Sequence, residues 1–95
     1  MPAQGLTTAL DFTATPSEIA TIDIAEAGIL TTSYVEPWVM DGDSTADNTV
    51  DEHDTFIEQF ILKAYSPIDG TLRLTASSRD GLLATGTFKV RYAWN

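Results

Sequence analysis

Cysteine is absent, which excludes a disulfide framework, a thiolate metal site and a cysteine nucleophile, and leaves the redox compartment undetermined. Basic side chains are absent from the first 62 residues, which hold twelve carboxylates, while the last 33 residues hold all five cations and two carboxylates. The two segments therefore carry −12 and +3, and the chain −9. With a pI near 4.1 and no basic stripe, most of the surface would repel a phosphate backbone, so nucleic acid is not an expected partner. Nor is a membrane, because no run approaches the roughly 18 apolar residues of a span. Met1 to Leu10 lack both a basic opening and a continuous apolar stretch, so they do not read as a secretory signal or transit peptide, and the chain is expected to be made in the cytosol. A glycine loop that could cradle phosphate is also missing.

The 95 residues that remain make one domain, 1–95, of a size that buries roughly 60 to 65% of the unfolded chain's surface. Hydrophobic residues reach 43%, above the disordered range, and a net stability of about 5 to 15 kcal/mol is expected. Threonine is conspicuous, with fourteen copies set among apolar side chains as β-structure prefers. Leu6, Thr8, Leu10 and Phe12 alternate with Thr7, Ala9 and Asp11 in a first strand closed by Pro16. A second runs from about Ile19 through Ile22 and Ile24, and a third from Ile29 to Met40, with Pro37 placing its end at an edge or a bulge.

Between Asp41 and Asp54 the alternation gives way to Gly, Ser, Thr, Asn and acids, the composition of one long exposed acidic loop. Thr55 to Tyr65 is read as a buried strand, with a short amphipathic helix as the competitor, because Phe56, Ile57, Phe60, Ile61 and Ala64 also fit helical spacing. Leu72, Leu74 and Ala76 alternate before the turn residues Ser78, Arg79, Asp80 and Gly81. Phe88, Val90, Tyr92 and Trp94 alternate after them, so the two runs read as a β-hairpin tied to the C-terminus. Gly86 marks a bulge, a close backbone approach or a plain interruption. The expected fold is all-β: a small antiparallel sandwich or barrel of about six to seven strands.

One constellation resembles a cation site. Asp41, Asp43, Thr45, Asp47, Thr49 and Glu52 follow the oxygen-ligand spacing of a calcium loop, but Ala46 stands where that loop needs glycine, so a solvated loop is the preferred reading. His53 lies among Asp51, Glu52 and Asp54, which should favour its protonated form. The expected role of these four is to organise the loop, because a tight transition-metal site needs further nitrogen or sulfur ligands that are not nearby in sequence. A Ser-His-Asp assembly or a glycosidase-like carboxylate pair can be drawn only by free choice among many residues, so no catalytic residue, cofactor or enzymatic activity is expected. Tyr92 and Trp94 read as core aromatics, whereas Trp38, beside Pro37, reads equally as core or as a surface interface anchor. Lys89 and Arg91 occupy the outward positions of the last strand. Acidic and basic faces on one small chain also imply a homo-oligomer with head-to-tail or ring contacts.

The stretch Asp47-Asn48-Thr49-Val50-Asp51-Glu52-His53, a following apolar strand, a turn with Gly70, and the closing Gly86-Thr87-Phe88-Lys89-Val90-Arg91-Tyr92-Ala93-Trp94 resemble small proteins encoded in the structural-gene regions of tailed phages and prophages. In that group a D-x-T-x-D-E-H-like segment precedes strands and the chain ends as G-x-F-x-V-x-W-x-W. The likeness covers residues 47–95, with Asn48 where the pattern often has histidine and Tyr92 where it often has tryptophan. The resemblance implies a virion structural protein with a β-sandwich fold, most directly a capsid decoration or cement protein bound in many copies to the major capsid protein or other virion proteins. Trp38, Lys89 and Arg91 are the expected contact residues. The alternatives are a tail, fibre or spike module that binds a host receptor or glycan and, more distantly, a small carboxylate-based hydrolase.

Overall fold

The computed structural model of the chain describes residues 3–4, 8–40 and 42–95. Two antiparallel sheets face each other over one core. The first is built on β7 (Thr87–Trp94), with β4 (Val35–Val39) on one side and β2 (Thr8–Asp11), preceded by the two-residue β1 (Ala3–Gln4), on the other. The second has β6 (Thr71–Ser78) between β3 (Ile19–Ala25) and β5 (Phe60–Ile68). β4 lies near β5 and β2 near β3, so the sheets approach along both margins. This is the expected antiparallel, sandwich-like architecture, with one addition: a helix, α1 (Val50–Gln59), enters between β4 and β5.

The period-two pattern sets the two central strands. Leu72, Leu74 and Ala76 of β6 and Phe88, Val90 and Tyr92 of β7 point inward and are buried, while their neighbours are more exposed. All four phenylalanines of the chain meet at one end of this core. Phe56 stacks on Phe88 at 4.2 Å and on Phe60 at 4.6 Å, and Phe12 meets all three edge-on at 5.4 to 5.9 Å. Each buried ring contributes about 1.5–3 kcal/mol through burial and each aromatic pair roughly 0.5–1.5 more, so Phe56 gives α1 a strong anchor.

Three expectations about local structure are corrected. The acidic segment is a loop only as far as Asn48, because Val50–Gln59 is helical, and over Thr55–Gln59 the competing helix rather than the expected strand forms. Thr49 caps the helix: its hydroxyl accepts the Glu52 amide hydrogen and Glu52 Oε1 accepts that of Thr49, a reciprocal capping box that satisfies two otherwise orphaned donors. The run Ile29–Met40 is strand only over Val35–Val39. Its first part turns, with Ser33 N–H donating to Leu30 O at 2.9 Å, and Thr31 N–H donates to Asp69 across the β5–β6 turn. Finally, β6 and β7 do not form a hairpin, because they are the central strands of opposite sheets. Ser78 Oγ accepts the Leu82 amide at 2.7 Å and starts a turn, but residues 79–86 cross from one sheet to the other. The tight hairpin joins β5 to β6 at Asp69–Gly70, where Gly70 takes a φ of 88°.

Pro37 sits on an edge strand, as expected. Met40 N–H donates to Lys89 O and Asn95 N–H to Tyr34 O, which makes Trp38 and Glu36 the hydrogen-bonded positions towards β7. Pro37 falls between them, where the donor it lacks would point away from the sheet. Of the first expected strand, Leu6 and Thr7 lie outside the described residues.

Candidate docking surface

The loop before α1 is held by side chains. Thr45 Oγ1 donates to Thr87 O at 2.8 Å, and buried Asn48 Nδ2 donates to Thr85 O and Thr87 O. Asp47 Oδ2 accepts from both the amide and the hydroxyl of Thr87. All these bonds converge on residues 85–87, and Gly86 is the reason the segments can meet: a Cβ there would lie 2.5 Å from Asp47 Cβ. Of the readings open for Gly86, close backbone approach is the one observed.

His53 is wholly buried, and it is neutral in this arrangement. The Lys89 amide can only donate, so Nε2, 3.0 Å away, accepts; Nδ1 then carries the proton and donates to Thr49 O at 2.9 Å. This differs from the expected protonated ring, because both ring nitrogens are taken by backbone groups and neither by a carboxylate. Of the four residues expected to organise the loop, His53 and Glu52 do so through hydrogen bonds. Asp51 lies in the first helical turn, where negative charge suits the helix dipole, and Asp54 makes no hydrogen bond among the described residues.

The calcium-spaced carboxylates do not converge. Asp43 faces Lys89 Nζ at 3.1 Å, Asp47 holds Thr87 and Glu52 caps α1, while Asp41 lies outside the described residues. Among the described residues no three His, Asp or Glu side chains form a metal-sized group. The Asp43 carboxyl is held below the usual carboxylate range by the Ser44 amide first and by Lys89 second.

The three expected contact residues share the outer face of the first sheet. Trp38 and Arg91 are directly paired across β4 and β7, Arg91 is exposed and Trp38 is 43% exposed, which resolves its reading in favour of the surface. Lys89 points the same way but is drawn to Asp43. Tyr34, 76% exposed, continues this face, and Glu36 lies between it and Trp38. At a strand rise of about 3.3 Å per residue, Tyr34 and Trp38 stand roughly 13 Å apart. Tyr34 belongs to this face, although an aromatic at strand parity reads from sequence as core. The signal for the surface is that it shares the parity of Glu36 and Trp38.

A concavity of about 300 Å³ lies between α1 and residues 83–85. Its floor is Phe56, Phe60 and Phe88, and Asp51, Glu52 and Leu83 stand on its rim. No helix among the described residues is long and apolar enough to cross a membrane. Comparison of the chain with protein-family models, with curated proteins and with solved structures gives no match.

Proposed function

We propose that the chain is a structural protein that docks on other protein through the outer face of its first sheet, and that it serves as a decoration or cement protein of a tailed-phage head, bound in many copies to the major capsid protein. The observation that carries the docking face is the exposed pair Trp38 and Arg91, directly opposed on adjacent strands with Tyr34 in line. Trp, Tyr and Arg dominate binding energy at protein interfaces because they bring large contact area at low conformational cost together with polar handles. The assignment to a virion rests on the resemblance of residues 47–95 to phage structural proteins. In this reading the work is mechanical. Each copy buries the aromatic–cationic face on the lattice, His53 and Glu52 hold α1 and its loop rigid beside that face, and repetition over many sites multiplies a modest single affinity.

The test is binding to particles lacking the protein. Trp38→Ala and Arg91→Ala are each expected to weaken attachment by about 2–4 kcal/mol while leaving the melting temperature close to wild type. Unchanged attachment by both variants would overturn the docking face. Copy number tests the location: hundreds per particle support the head lattice, whereas threes, sixes or twelves support a tail, fibre or spike module. That second reading is favoured by the spacing of Tyr34, just before β4, and Trp38 on it, with Glu36 between them, which also suits a host glycan lying along the edge.

A further inference from the structure

The cleft beside α1 is a site of different chemistry from the Trp38 face. Its floor is three phenylalanine rings, its far wall includes exposed Leu83, and its near rim is the Asp51, Glu52 side of a helix that carries four carboxylates and no lysine or arginine. None of the side chains lining it is a cation. An apolar floor under an anionic rim accepts a side chain with a long apolar stem and a positive end, and about 300 Å³ is room for one such group with part of its neighbours.

The chain displays that group itself. On β5, Ile61, Lys63 and Tyr65 project from the outer face of the second sheet, all three exposed and in a row. Arg73 on the same face is engaged by Asp23 in a two-pronged ion pair, with contacts of 2.8 and 3.1 Å, and Lys89 by Asp43. Lys63 has no ion-pair partner among the described residues.

We infer that the α1 cleft of one copy receives the Ile61–Lys63–Tyr65 ridge of a second copy, with Lys63 against Asp51 and Glu52. The contact uses two different surfaces of the chain, so it is heterologous and adds copies head to tail, closing into a ring or extending along a lattice. The ridge and the rim carry opposite charge, so like surfaces repel and only the heterologous orientation attracts. Neither surface includes Trp38 or Arg91, so this association stands or falls separately from docking on a partner.

Sedimentation velocity of the purified chain tests it. The weight-average mass should rise with protein concentration at about 0.05 M salt and return towards the monomer at about 0.5 M, where charges are screened within a few ångströms. Lys63→Glu alone and Asp51→Lys alone should each weaken association by more than about tenfold, and mixing the two should restore it, because the reversed ridge then meets the reversed cleft. Thr55→Lys, on the cleft side of α1 and away from its cap, makes the same test if Asp51→Lys fails to fold. A chain that stays monomeric at every concentration and salt, a Lys63→Glu variant that associates like wild type, or a mixture that does not recover would each overturn the inference.

Discussion

The ring of His53 takes over the β4–β7 ladder where β4 ends: its Nε2 accepts the Lys89 amide hydrogen at 3.0 Å, one residue beyond the last β-pair, Val39 with Val90. A helix is thereby fastened to the central strand of a sheet by a side chain that stands in for a backbone carbonyl. His53→Ala removes both ring hydrogen bonds, strips Phe88 of a neighbour whose ring centre is 5.1 Å away, and leaves a buried amide unpaired. We expect a loss of about 2–4 kcal/mol in urea unfolding. His53→Gln, whose amide oxygen can still accept, should lose clearly less. Equal losses in the two variants would show that packing rather than the Lys89 bond holds the helix.

The capping box couples Thr49 and Glu52 energetically. Thr49→Ala should cost about 0.5–2 kcal/mol, and Glu52→Ala somewhat less. Because each side chain satisfies the other residue's amide, the double variant should fall short of the sum, and a double-mutant cycle by chemical denaturation measures the shortfall. Strict additivity would mean the two bonds form independently.

This box was legible before the fold was known, since Thr-x-x-Glu followed by apolar Phe56, Ile57 and Phe60 is a helix start. It is masked by density of charge: with six carboxylates from Asp41 to Asp54 the segment has the composition of a solvated loop. The strands with clean alternation, β3, β6 and β7, could be placed from local pattern because burial of one face enforces it. Which strand pairs with which could not. The turn residues after Ser78 are the same whether the chain folds back on β6 or crosses to the other sheet, and the choice is made by Phe88 and Tyr92 packing far from that turn. The sequence places Arg91 outward and leaves Trp38 open between core and surface, and their direct opposition depends on the β4–β7 register, which no short stretch encodes.

Two glycines with the same φ of 73° separate backbone strain from crowding. Gly81→Ala places a Cβ 3.0 Å from a flexible Glu18 side-chain oxygen, so the left-handed backbone should dominate, at about 1–2 kcal/mol. Gly86→Ala adds a 2.5 Å clash with Asp47 Cβ and displaces the loop that Thr45, Asp47 and Asn48 hold, so its cost should be at least about 2 kcal/mol greater. Thermal melts of the two proteins side by side make the comparison, and similar losses would mean the loop yields without penalty.

Tyr92 makes stability depend on alkaline pH. Burial, and then its 2.6 Å hydrogen bond to Glu26 Oε2, raise its phenol from about 10 to about 12. The folded state therefore keeps this proton at pH values where the unfolded chain has lost it. A raised acid contributes stability that is fully present below pH 10 and is lost as pH climbs through 12, here about 1–3 kcal/mol. Unfolding free energies measured from pH 9 to pH 12 should fall more steeply for the wild type than for Tyr92→Phe, which keeps the ring and discards the proton. The variant should also begin lower, because Glu26 loses its donor. Parallel curves for the two proteins would show that Tyr92 is not the group responsible.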